Sequence, residues 1–138
     1  MGWARGQSAM EYLIITGIAF LLLIPVVLIA YTQSARFADD VAAAQIQKIG
    51  QEIIDGAQAV WYAGPPAKTT RTLHFPHGVR AIDFQNQTLV FTVSGTGGPY
   101  EYAVYSEANL TGALGTSEGL HVIVIQSLGD GRVNITED

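Results

Sequence analysis

The chain has 138 residues, of which 49% are hydrophobic and only 14% charged, and its net charge is −5. A disordered chain needs low hydrophobicity and high charge, so disorder is excluded. The acidic balance argues against non-specific nucleic-acid binding, which needs a basic face. The absence of cysteine excludes disulfide scaffolds, thiol catalysis and cysteine zinc sites.

The chain opens on a small polar island, Arg5-Gly6-Gln7-Ser8-Ala9-Met10-Glu11, and then turns apolar. Residues 12–31 contain no charge and are bounded by Tyr12 and Tyr31. About 20 apolar residues in a helix span about 30 Å, the thickness of a hydrocarbon core, and tyrosines suit its two interfaces. A secretory signal peptide fits less well, because Glu11 sits where base is wanted and the stretch exceeds the usual apolar length. Myristoylation is set aside, since Gly6 occupies the place of the Ser or Thr. Arg5 precedes the span, whereas Arg36 is followed by Asp39 and Asp40, which favours a cytoplasmic N-terminus. Pro25 and Gly17 are weak points, where a bend or a local melt is expected.

Helical periodicity continues past the span. Apolar residues recur at Ala42, Ile46, Ile49, Ile53, Ala57 and Val60, opposite Gln47, Lys48, Gln51, Glu52 and Asp55. Gly64-Pro65-Pro66 ends the pattern. A nearly continuous helix over 8–63, about 80 Å long, is expected.

Beyond Ala67 the pattern alternates. Strands are expected at 70–75, 79–85, 88–94, 100–105, 120–126 and 132–136, joined as antiparallel hairpins, with 106–119 a surface loop. The stripe from Ile46 to Val60 is the expected cover of the sheet. The predicted fold is therefore α+β. Residues 7–36 form a hydrophobic helix, 37–64 an amphipathic helix, and 65–138 an antiparallel β head. Asn86, Asn109 and Asn134 each open a glycosylation sequon in the head, which agrees with an exported head.

Catalytic signals are weak. His74, His77 and His121 form no compelling zinc pattern, so no metal, cofactor or enzymatic activity is expected. Asp83 is expected to face solvent. The glycine-rich run 94–98 lacks the following helix that a phosphate loop needs, and reads as a hairpin tip. Tyr100, Tyr102 and Tyr105 read as sheet packing or as a contact face.

Glu11 is the sharpest signal. A carboxylate at mid-bilayer costs roughly 2–3 kcal/mol and less at the edge, so it should meet a positive charge. A cut between Gly6 and Gln7 would create an α-amine one helical turn from Glu11, on the same or a neighbouring subunit. At these residues the chain resembles the archaeal type IV pilins with a class III signal peptide. Arg5-Gly6 matches the leader end, Gln7 the mature N-terminus, and Glu11-Tyr12-Leu13 the fifth to seventh mature positions. The family often has Ser where this chain has Ala9, with Ser8 adjacent.

The resemblance implies that a membrane aspartic prepilin peptidase removes residues 1–6. It implies that the helix waits in the membrane until an ATPase and a membrane platform protein extract it into a homopolymeric filament. Tyr12, Leu13, Phe20, Leu21, Leu22, Leu23, Ile24, Pro25, Val26 and Val27 would then line the filament core. The expected product is a glycoprotein subunit of an extracellular pilus serving cell adhesion. The alternatives are a minor pilin that primes or tips the filament, or a monomeric membrane-anchored β-domain binding protein that keeps its leader.

Overall fold

The computed structural model describes residues 3–138, with side chains from Gly6 onward. Met1, Gly2 and the Arg5 side chain of the expected leader lie outside the described residues. The elements in order are α1 (Trp3–Ala63), β1 (Lys68–Phe75), β2 (Val79–Gln85), β3 (Thr88–Gly95), β4 (Gly98–Tyr105), β5 (Asn109–Ala113), β6 (Gly119–Ser127) and β7 (Arg132–Glu137). The architecture is α+β, one long N-terminal helix and a mainly antiparallel β head. The chain divides into two compact units, residues 1–38 and 39–138.

The first unit is the N-terminal part of α1. The helix runs unbroken through Pro25, so the structure contains no melted turn there. Residues 12–31 carry no charged side chain, and the helix is long and apolar enough to cross a membrane.

The second unit begins with the rest of α1. Ile46, Ile49, Ile53, Ala57 and Val60 are buried as the periodicity predicts, and Ile54 joins them. Gln47, Lys48, Gln51 and Asp55 are exposed, and Glu52 is half-buried within reach of Lys48 at 3.8 Å. Two glycines let the helix lie close to the sheets. A Cβ on Gly50 would stand 2.7 Å from Val104 Cγ2, and one on Gly56 would stand 2.8 Å from Ile125 Cδ1. Gly64 ends the helix in the left-handed region (φ 72°), its N–H donating to the Val60 carbonyl at 3.1 Å.

Two sheets share this helix. One has the order β1-β6-β7-β5 and the other β2-β3-β4. Leu73 and Phe75 of β1, Ile123 and Ile125 of β6, and Leu89, Phe91 and Val93 of β3 join the α1 isoleucines in a single core. Burial alternates along β6, with His121, Ile123 and Ile125 inward, because a strand turns successive side chains to opposite faces.

One expectation needs correction, and two strands show details beyond it. The segment 106–119 is not simply a loop, because it contains β5, which pairs parallel to β7 (Leu110 opposite Val133, Thr111 opposite Asn134). The head is therefore not wholly antiparallel. A five-residue strand with one buried large side chain, Leu110, gives no readable alternation, and its partner comes later in the chain. Along β2 burial does not alternate strictly. The register shifts between Val79 and Ala81, and the bulge brings Ile82 and Phe84 to the core-facing side after Val79. The tyrosines of β4 divide between the two readings. Tyr100 and Tyr102 pack on the core, while Tyr105 is 63% exposed and donates its hydroxyl to Gln87 Oε1 at 3.2 Å.

Candidate functional site

The first candidate site is the N-terminal part of α1. Gly6, Gln7 and Glu11 are all helical and exposed. Gln7 and Glu11 stand four residues apart, one turn along a common side of the helix. Every large apolar side chain over 10–31 is at least 53% exposed, Tyr12, Leu13, Phe20, Leu21, Leu22, Leu23, Ile24, Val26 and Val27 among them. Fully burying one such side chain contributes about 1.5–3 kcal/mol. With more than a dozen of them, the forgone burial exceeds the whole net stability of a typical domain, about 5–15 kcal/mol. This segment is therefore a candidate membrane span.

The sequons occupy the head. Asn86 is exposed in the β2–β3 turn in the left-handed region (φ 52°), a conformation asparagine tolerates. Asn109 is exposed at the start of β5, and Asn134 is half-buried on β7. Leu110 donates its N–H to the Asn86 carbonyl at 2.6 Å, so the turn docks on β5.

The three histidines are dispersed. His74 is exposed on β1. His77 is exposed and lies 3.2 Å from Glu118. His121 is buried and stacks on Phe75, with centroids 4.4 Å apart. Its Nδ1 lies 2.6 Å from Glu137 Oε1 and its Nε2 lies 2.8 Å from the Ser117 carbonyl. Among the described residues, no three His, Cys, Asp or Glu side chains are grouped to hold a metal. Asp83 is exposed. The run 94–98 closes the β3–β4 hairpin, with Gly95 opposite Gly98. Two cavities of about 380 and 350 Å³ open on the head, the first beside α1 and β1 and the second beside the β3–β4 turn.

The sequence gives no sign of two polar clasps. Thr96 N–H donates to Asp39 at 2.7 Å, and hydrogen bonding from the Thr96 side chain, together with this backbone bond, lowers the Asp39 pKa. Glu137 receives the Gly115 N–H at 2.9 Å and also meets His121, and these bonds hold its carboxyl below the usual glutamate range. Each clasp joins residues far apart in sequence, so no local spacing announces it.

The Glu137 clasp has a measurable consequence. A carboxylate whose pKa is depressed by folding adds stability above its unfolded pKa and loses it as pH falls through the folded value. The melting temperature of the full chain in detergent should therefore decline as pH drops below about 4. Glu137→Gln should make that decline shallower, although Asp39 and Asp130, also lowered, keep part of it. Equal slopes in both proteins would show that the clasp does not titrate with folding.

Comparison with family models, curated proteins and solved structures returned no match to this chain.

Proposed function

We propose that the chain is the structural subunit of an extracellular filament of the type IV pilus kind, assembled through the apolar part of α1. One observation carries this reading. A helix exposes large apolar side chains on all faces over 10–31, directly after Arg5-Gly6-Gln7, and carries a carboxylate, Glu11, one turn beyond Gln7. A simple membrane anchor has no use for an acid at that place, whereas a bundle of trimmed helices does, because each new Gln7 amine can meet a Glu11.

In this reading a membrane aspartic peptidase removes residues 1–6. The helix waits in the bilayer with the head outside. An ATPase and its membrane platform protein then transfer it into the growing filament. Helix–helix packing replaces lipid contact, so the apolar face never meets water. Contacts between unlike patches on successive subunits continue without closing, which gives a filament rather than a ring. Adhesion is the proposed task of the exposed heads, and the reading includes no catalytic step and no cofactor.

Two measurements test it. Intact-mass analysis of membrane-derived protein should show Gln7, free or cyclised to pyroglutamate, as the first residue. Electron microscopy of material sheared from the cell surface should show filaments containing the chain. Retention of residues 1–6 together with a monomeric state in the membrane would overturn the proposal in favour of an anchored binding domain. High abundance in the sheared filaments identifies a major subunit, and trace abundance identifies a priming or tip subunit.

A further inference from the structure

We infer that the head carries a shallow binding site for neutral sugar rings, built from Tyr62, Glu107, Gln87 and Tyr105.

Four side chains from four separate places meet there. Tyr62 lies in the last turn of α1, Gln87 in the β2–β3 turn, Tyr105 at the end of β4 and Glu107 in the β4–β5 connection. The Tyr62 hydroxyl donates to Glu107 Oε2. Gln87 Nε2 donates to the Glu107 carbonyl at 3.0 Å, and Gln87 Oε1 accepts from the Tyr105 hydroxyl at 3.2 Å. The Gln87 carbonyl accepts the Ser106 N–H at 2.7 Å, so the turn that carries the amide is itself fixed. The result is a continuous polar bridge with a phenol at each end.

Tyr62 is 68% exposed and Tyr105 63%, although Val60 and Val104 beside them are buried in the core. Tyr62 leans on Trp61, with ring centroids 5.0 Å apart, and Trp61 packs on the core. Both hydroxyls are held by the bridge. A tyrosine ring held in this way offers a large contact area at low entropic cost.

This chemistry suits a pyranose. Such a ring has a C–H face, which stacks on an aromatic ring, and a rim of hydroxyls, each both donor and acceptor. Glu107 Oε1 remains to accept, the Gln87 amide keeps a second N–H, and both phenol oxygens can accept. Because the bridge orders these groups beforehand, binding costs little side-chain entropy. Charge selects among partners. Glu107 is the only charged side chain of the four, and it disfavours phosphate, sulfate and uronate groups. A protein partner fits less well, since it would have to seal that carboxylate under a dry interface without a counter-charge. The inference deepens the proposed function, because it gives the heads a chemical target for adhesion, and it rests on their exposure outside the cell.

Saturation-transfer NMR tests it on the full chain in a zwitterionic detergent, since sugar-headed detergents would compete. The probes are the methyl glycosides of glucose, galactose and mannose at millimolar concentration. At least one should receive magnetisation from the protein. Tyr62→Ala and Tyr105→Ala should each weaken its binding about tenfold, whereas Tyr105→Phe, which keeps the ring, should retain most of it. Circular dichroism of each variant should match the parent, which separates loss of a ring from loss of the fold. Heparin, an anionic polysaccharide, should not bind. No transfer to any of these glycosides, binding that survives both alanine variants, or a preference for heparin would each overturn the site. The two readings fail separately. Sugar binding by a chain that still carries residues 1–6 keeps this inference and defeats the filament, whereas filaments beginning at Gln7 whose subunits ignore all the probes do the reverse.

Discussion

Glu11→Ala should leave the cut between Gly6 and Gln7 intact and lower filament yield by at least tenfold, with trimmed subunit accumulating in the membrane. The proposed processing site lies a full turn before Glu11, so removing the carboxylate would not alter the residues cleaved. On the proposed reading, what it removes is the partner of the Gln7 amine that cleavage would create. Breaking one side of a buried ion pair costs about 3–5 kcal/mol, because the remaining charge is left without compensation in an apolar surrounding. A tenfold change needs only about 1.4 kcal/mol, so the expected loss survives a large discount for partial hydration near the membrane edge. Glu11→Asp keeps the charge on a shorter arm and should fall between the two. Sheared filaments and processed subunit, quantified side by side on immunoblots, decide the matter. Wild-type filament yield from Glu11→Ala would remove charge pairing from the mechanism.

Gly112→Ala should destabilise the head by about 4 kcal/mol or more, or prevent its folding. Gly112 sits on β5 with φ 143°, a conformation side chains rarely adopt. An added Cβ would also lie 1.8 Å from the Ile135 carbonyl oxygen of β7. That neighbour is backbone in a paired strand, so it cannot rotate away as a side-chain end would. Relief requires β5 to peel from β7, which exposes Leu110 and breaks the docking of the Asn86 turn. Gly97→Ala is the control. A Cβ there meets nothing within 4 Å, and a change below about 0.5 kcal/mol is expected. Denaturant unfolding of the two variants in detergent checks both, and a loss under about 1 kcal/mol at position 112 would refute the steric argument.

The two halves of α1 differ in what they reveal. Residues 12–31 could be read without tertiary information because twenty consecutive uncharged residues meet a solvent rule that holds whatever they pack against. The stripe of Ile46, Ile49, Ile53, Ala57 and Val60 was legible for a related reason, since helical spacing alone puts those side chains on one face. The long strands were also legible, with bounds within two residues of those observed, because alternation and turn residues are local signals.

β5 was not legible. Its strand character comes from a parallel partner more than twenty residues later, and Gly112 is there to admit the Ile135 carbonyl. The β2 bulge, the Asp39–Thr96 bond and the Glu137 clasp belong to the same class, as each is a meeting of residues that local spacing does not relate. The bridge from Tyr62 through Glu107 and Gln87 to Tyr105 belongs there too, since its bonds join residues 18 to 45 positions apart. By itself the sequence determined which segment must avoid water and which helix face must be covered, because hydrophobicity and backbone periodicity act along the chain. Only the tertiary structure decided the parallel strand, the inward turn of β2 and the bridge between Tyr62 and Tyr105, because register and close approach are set between segments.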